Sequence, residues 1–234
     1  MKHNIVILDK KAPNEVKEYF IKAGVKIVET VVIDSLYPAI SSHPDIQICK
    51  VVGDIFVAAP EVYDYYKNAL PDCQVLKGES ALSGTYPYDI AYNIAIKGKI
   101  AFHKATYTDP VVARICKANA ISILDVKQGY SKCNIAFAGD GIITSDASIY
   151  RVALDNKIDA LLIENDPSIL LDNFPYGFIG GAGGTLDENS WGICGDIRRH
   201  KNFEQIIKFC NNHKTSIKCL YDGHILDIGS ILYF

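Results

Sequence analysis

The order of apolar and polar positions along the chain repeats. Short apolar runs come in pairs split by a glycine turn, followed by a helix-length stretch and a third apolar run. In the first such unit, Ile46 to Val52 reaches Gly53-Asp54 and resumes at Ile55 to Ala59. Pro60 then opens a helix expected to run to Leu70, and Cys73 to Leu76 is the closing strand. The second unit runs from Ile90 to Ile96, turns at Lys97-Gly98-Lys99, resumes at Ile100 to His103, starts a helix near Asp109-Pro110 and ends in Ile121 to Leu124. The third comprises Cys133 to Ala138, the turn Gly139-Asp140-Gly141, Ile142 to Thr144, a helix capped by Ser145 or Asp146, and Ile158 to Ile163. The turn glycines Gly53 and Gly98 are 45 residues apart, and Gly98 and Gly141 are 43 apart, a period that marks an internal repeat.

The fourth unit is less regular. Its strands are expected within Tyr176 to Gly184 and Trp191 to Gly195, around a polar loop, with a helix from about Asn202 to Asn212 and a strand from Ser216 to Leu220. The strand pair His224 to Phe234 then begins a fifth unit that lacks its helix. The missing parts lie at the other terminus, where Asn4 to Leu8, a helix from Pro13 to Ala23 and the strand Val25 to Val32 complete the pattern. The expectation is one α/β domain over residues 1–234, built of five ββαβ units in a ring closed by both termini, an arrangement that removes free sheet edges. An open sheet of βαβ crossovers is the competing arrangement.

A five-unit ββαβ ring of this size resembles the pentein fold, an α/β propeller around a pseudo-five-fold axis. It is shared by arginine deiminases, dimethylarginine dimethylaminohydrolases and amidinotransferases, and by the ribosome anti-association factor. Locally the resemblance is clearest at Tyr130 to Gly139, at Tyr86-Pro-Tyr-Asp89 and at Asp222 to Leu232. It implies a guanidine-modifying site in which a cysteine near the C-terminus attacks the guanidinium carbon, a histidine of the third unit relays protons, and carboxylates orient the cation. On this chain the histidine position falls on or near Tyr130, the cysteine position on Asp227 or Ile228, and the acidic positions after Pro44-Asp45 around Cys49 to Val51; only Asp89 matches. The resemblance therefore implies a divergent pentein without the usual Cys-His pair.

Composition narrows the partners. With 234 residues, 49% hydrophobic, the chain can bury a large core, and a net charge of -3 without a basic run longer than a pair speaks against nucleic acid or an anionic membrane as partner. The apolar stretch Ile5 to Leu8 is too short for a signal-peptide core or a membrane span, so a cytoplasmic location is expected. Seven cysteines without a C-x-x-C pair read as reduced thiols, and His43, His103 and His200 show no metal-ligand spacing. No metal or cofactor is expected, and a homodimer is compatible with the sequence.

The candidate chemistry lies at strand ends. Cys133, at the start of the third unit's first strand, is a candidate nucleophile with Tyr130 or His224 nearby; a buried structural thiol is the alternative. His224 and Asp227, three residues apart, face opposite sides of a regular strand and pair only across a bulge. Asp89 and Asn93, with even spacing, share one strand face and are candidates for a cationic or amide ligand. Tyr86, Tyr88, Tyr92 and Tyr130 form an aromatic group suited to a cation cage or to packing. Gly180 and Gly181, in the run Gly177 to Gly184, allow close approach of a ligand or of another backbone, as a lid or an irregular loop. Arg198-Arg199-His200 reads as a solvated helix entrance. The functional expectation is a protein that binds a small polar or cationic metabolite in the central channel. A guanidino-group hydrolase or amidinotransferase using a channel cysteine, and a macromolecule-binding protein, are the alternatives.

Overall fold

In the structure, a computed structural model that describes residues 4–234, the repeat becomes five three-stranded sheets. They are Ile48–Val52 with Ile55–Ala58 and Gln74–Lys77; Ala95–Lys97 with Ile100–His103 and Ser122–Asp125; and Ile135–Ala138 with Gly141–Thr144 and Ala160–Leu162. The fourth is Gly183–Asp187 with Ser190–Ile193 and Ser216–Cys219, and the fifth is Leu232–Tyr233 with Ile5–Leu8 and Lys26–Glu29. In every sheet the middle strand pairs antiparallel with the first and parallel with the third. A parallel neighbour needs a crossover, and a helix supplies it each time. The fifth sheet takes strands from both chain ends, with Val6 opposite Tyr233 and Ile7 opposite Leu232.

Middle strands are covered on both faces, which is why they read as continuous apolar runs: Val6, Ile7 and Leu8 are fully buried, as are Phe56, Val57 and Ala58. The crossover helices bury one stripe each, such as Ile206, Phe209 and Cys210 of the helix Phe203–Asn212. Two helix starts follow the sequence signals. Asp109 accepts from the backbone N–H groups of Val111 and Val112 ahead of Pro110, and Asp146, not Ser145, accepts from those of Ser148 and Ile149. Pro60 does not open a helix. Val62 N–H bonds to the Ala59 carbonyl, a turn intervenes, and the helix spans Tyr63–Ala69.

The first strands of four units begin later than the apolar pattern predicts, at Ile48, Ala95, Ile135 and Gly183. The residues before them are apolar because they are buried, but their backbone bends into turns or single helical turns, Pro44–Gln47 and Ser131–Asn134 among them. These five pre-strand junctions bond to one another. Asn93 Nδ2 donates to the Asp45 carbonyl, Lys132 N–H to Asn93 O, Gly181 N–H to Cys133 O, Ile228 and Ser230 N–H to Gly181 O, and Asp45 N–H back to Gly229 O.

The C-terminal ring of Phe234 packs on Phe56, centroids 4.7 Å apart, inside the largest apolar cluster. Phe234→Ala is expected to cost about 3 kcal/mol, read in thermal denaturation as a fall of roughly 6–12 °C in Tm; an unchanged Tm would show that the terminal strand is dispensable.

Candidate functional site

The junctions deliver polar side chains to one buried place. Asp45 follows Pro44 in the single helical turn of the first unit, and its carboxylate is 1% exposed. Oδ2 accepts from Ser230 Oγ at 2.6 Å and from Cys133 Sγ at 3.1 Å, while Oδ1 has no hydrogen-bond partner. Asn93 Nδ2 lies 3.1 Å from the same sulfur, and Asn93 Oδ1 accepts from the N–H groups of Lys132 and Cys133. Lys132 Nζ donates to Ser230 Oγ at 3.0 Å. Four junctions thus meet around Asp45.

Asp227 comes from the fifth junction. Its oxygens accept from Phe178 N–H at 2.8 Å and Gly229 N–H at 3.1 Å. The glycine-rich run seats it: a Cβ on Gly181 would lie 2.1 Å from Asp227 Oδ1. Gly229, at φ +64°, does the same for His43, whose Cβ would be 2.2 Å from an added methyl. The His43 ring has an unpartnered Nδ1, and its Nε2 lies 3.8 Å from Asp9 Oδ2, beyond hydrogen-bond range. Asp89, fully buried, accepts from Tyr130 Oη through Oδ2 and leaves Oδ1 without a partner.

Burial sets the protonation of this cluster. It pushes the Cys133 thiol well above its usual range, and the nearby carboxylates Asp45 and Asp227 push it further, so the sulfur rests as a thiol that donates to Asp45. Burial also raises the carboxyl of Asp227, opposed by His43, and that of Asp89, opposed by the Tyr130 hydroxyl. Lys132 is lowered by burial, with Asp45 opposing.

Cys133, His43, Tyr130 and Asp227 line a cavity of about 390 Å³ whose other walls are aromatic and aliphatic. A second cavity of about 170 Å³ touches Asp45 and Lys132 and is lined by residues of first strands, among them Ile48, Ile135 and Gly183.

The structure brings Asp89, Asn93, Tyr130, Cys133 and Asp227 into this region, but not on strand faces. Asp89 and Asn93 lie in turns ahead of Ala95–Lys97, and Cys133 lies in the helical turn Ser131–Asn134. His224 is exposed, just ahead of the two-residue strand Ile225–Leu226, and is not a lining residue of either cavity; the chain turns away before Asp227. Gly180 and Gly181 are buried rather than lid-like, with the Gly180 carbonyl accepting from Ser230 Oγ and Gly181 bonded to Cys133, Ile228 and Ser230. The four tyrosines do not form one cage: Tyr86 meets Tyr130 at a tilt with ring centres 5.8 Å apart, Tyr88 meets Tyr107, and Tyr92 is buried against Ser80 and Asp109. Sequence reasoning missed His43, Asp45, Lys132 and Ser230 as site residues. The signal was the repeat itself, since all four lie in the few residues just ahead of the first strand of their units. No group of three or more metal-ligating side chains occurs among the described residues, and no helix there is long and apolar enough to cross a membrane.

This mixed α/β fold matches that of solved pentein-fold structures. Similar solved structures include inosamine-phosphate amidinotransferase from Streptomyces griseus, at TM-score 0.58 and 13% identity, covering 94% of this chain and 80% of that one. An amidinotransferase of saxitoxin biosynthesis from Microseira wollei aligns at TM-score 0.57 and 15% identity, over 94% and 78% of the two chains. Dimethylarginine dimethylaminohydrolase from Pseudomonas aeruginosa, complexed with citrulline, aligns at TM-score 0.55 and 10% identity, over 98% of each. No curated protein matches. Residues 7–232 match the family described as "family of unknown function (DUF6873)", and the chain belongs to that family.

Two measurements test the electrostatics. Iodoacetamide at neutral pH should modify exposed Cys219 and leave Cys133 unmodified in the native protein, as read by peptide mass spectrometry. Asp89→Asn keeps an acceptor for Tyr130 and removes a buried charge. Because the folded carboxyl titrates above its unfolded value, its contribution to stability is lost as pH rises through the folded value. The variant should therefore melt higher at pH 7, by roughly 2–4 °C for a gain of about 1 kcal/mol, with the difference closing below about pH 4.

Proposed function

We propose that the protein binds a small cationic metabolite carrying a guanidino- or amidine-like group in the cavity beside Cys133, without the usual Cys-His pair of the guanidine-modifying enzymes. The observation that carries this is the surplus of buried carboxylate at the junctions. Asp45, Asp89 and Asp227 are all buried, two of them have an oxygen without a partner, and Lys132 is the ammonium that faces Asp45 and Asp227. Buried charge of one sign is costly unless something neutralises it, and a planar cation with several N–H donors suits the carboxylate that lines the cavity, Asp227. Asp227 and His43 mark the polar end of the cavity, and the aromatic faces of Tyr130 and Phe178 suit a cation. Under the same proposal the five sheets are blades of an α/β propeller in one domain, closed where Leu232–Tyr233 pairs with Ile5–Leu8; the hydrogen bonds that run through all five junctions and back to Asp45 support it.

One observation favours an enzymatic second reading. Cys133 lines the cavity, and its proton already points at Asp45. A cation beside Asp227 would offset the negative charge that keeps the thiol protonated, and a thiolate formed next to a guanidinium carbon is a competent nucleophile.

The test is a thermal-shift panel of alkylguanidines, amidines, arginine and methylated arginines, with each mixture assayed for released ammonia, amine or urea. A ligand at about 100 times its Kd should stabilise the fold by roughly 2.7 kcal/mol, and Asp227→Asn should abolish that shift. Stabilisation without product establishes a binding protein, and product lost in Cys133→Ala establishes the enzyme. Silence across the whole panel sinks the guanidino assignment.

A further inference from the structure

The lining of the larger cavity is of two kinds. Asp227, His43 and Cys133 are its titratable polar side chains; the remainder is aromatic or aliphatic, from Tyr37, Ile40 and Tyr130 to the stretch from Leu171 to Phe178. Among the described residues that line it, none is a lysine or arginine. Three lysines tied to neighbouring positions are already engaged, the first of them Lys132, whose Nζ donates to Ser230 Oγ beside Asp45. Lys104 Nζ lies 3.3 Å from Tyr86 Oη and 5.1 Å from the ring centres of Tyr86 and Tyr107, and Lys11 Nζ donates to the Pro38 carbonyl.

The aromatic wall is held in place. Phe174 N–H bonds to the Leu171 carbonyl, Asn173 takes the left-handed conformation at φ +63°, and the Tyr176 ring meets Phe178 edge-on at 6.2 Å. Tyr37 and Phe174 nevertheless stay 48% and 49% exposed, large apolar surface facing a cavity rather than a core. A cavity of about 390 Å³ belongs to the size class that encloses most of a small ligand, so the far end of the ligand meets these side chains rather than bulk water.

Building on the cation-site reading, we infer that the ligand is a cation with an apolar far end, an aryl- or alkyl-substituted guanidinium or amidinium ion that carries no carboxylate. A carboxylate on the tail would be desolvated against aromatic rings, without a basic partner, in a cavity that already holds the Asp227 carboxyl. The same wall gains contact with every apolar atom the tail adds. The segment from Leu171 to Phe178 is then the specificity determinant, separate from the carboxylates that hold the charge.

Matched ligand pairs test this by calorimetry on the full chain. Butylguanidine and 4-guanidinobutyrate share a guanidinium and a tail and differ in the carboxylate. The first should bind roughly a hundredfold tighter. Phenylguanidine should bind about tenfold tighter than methylguanidine, and the half-exposed Phe174, replaced in Phe174→Ala, should erase that advantage while methylguanidine binding is kept. Equal binding of 4-guanidinobutyrate and butylguanidine, or a phenylguanidine advantage untouched by Phe174→Ala, overturns the inference and leaves the cation site standing. If none of the four compounds binds, the cation-site reading fails first, and this one with it.

Discussion

The structure depends on hydrogen bonds between the segments that precede each first strand. A buried junction must satisfy its backbone groups without a strand partner on hand. Here each junction uses the next: Asp45 with Gly229, Asn93 with Asp45, Lys132 with Asn93, Gly181 with Cys133, and Ile228 and Ser230 with Gly181. These bonds fix where every sheet begins and bring Cys133 and Ser230 onto the Asp45 carboxylate, with Asn93 held against the Cys133 sulfur. The pairing of the two chain ends acts on the same region, because the strand Leu232–Tyr233 that meets Ile5–Leu8 follows directly on the junction carrying Asp227 and Ser230.

That geometry gives the cluster its chemical character. Burial, with Asp45 and Asp227 close by, raises the thiol between them, which is why Cys133 rests protonated and hydrogen-bonded rather than poised as a thiolate. The orphaned oxygens of Asp45 and Asp89 cost stability while unpaired. These costs lie beside a cavity with aromatic walls, and it is on them that the proposed cation site rests. The glycines around it serve the carboxylates more than the ligand. Gly181 and Gly229 leave room for Asp227 and His43, which could not reach the cavity past larger neighbours.

Much of the fold was legible in the chain. The spacing of Gly53, Gly98 and Gly141, the pairing of apolar runs and the helix starts near Asp109-Pro110 and at Ser145 or Asp146 predict the mixed α/β character and the order of its strands and helices. Local signals suffice there because a β-turn, a helix cap and an apolar strand are each encoded by neighbours in sequence. The candidate site was legible only in part. The pattern puts Asp89, Asn93, Cys133 and Asp227 on strands and Tyr130 near a strand end, whereas the structure places all five in the turns and loops ahead of the first strands. Apolar periodicity reports burial and not backbone direction, so a buried turn and a buried strand look alike.

The sequence by itself determined the repeat, the element order and the pool of polar residues set just ahead of each first strand. Only the tertiary structure decided which of them meet. His43 enters the cavity because Gly229 yields space 186 residues away, while His224, three residues from Asp227, stays on the surface. Asp45 finds Cys133 and Ser230 across 88 and 185 residues. Contacts of that separation follow from how the five units pack against one another, and no local preference of the chain encodes them.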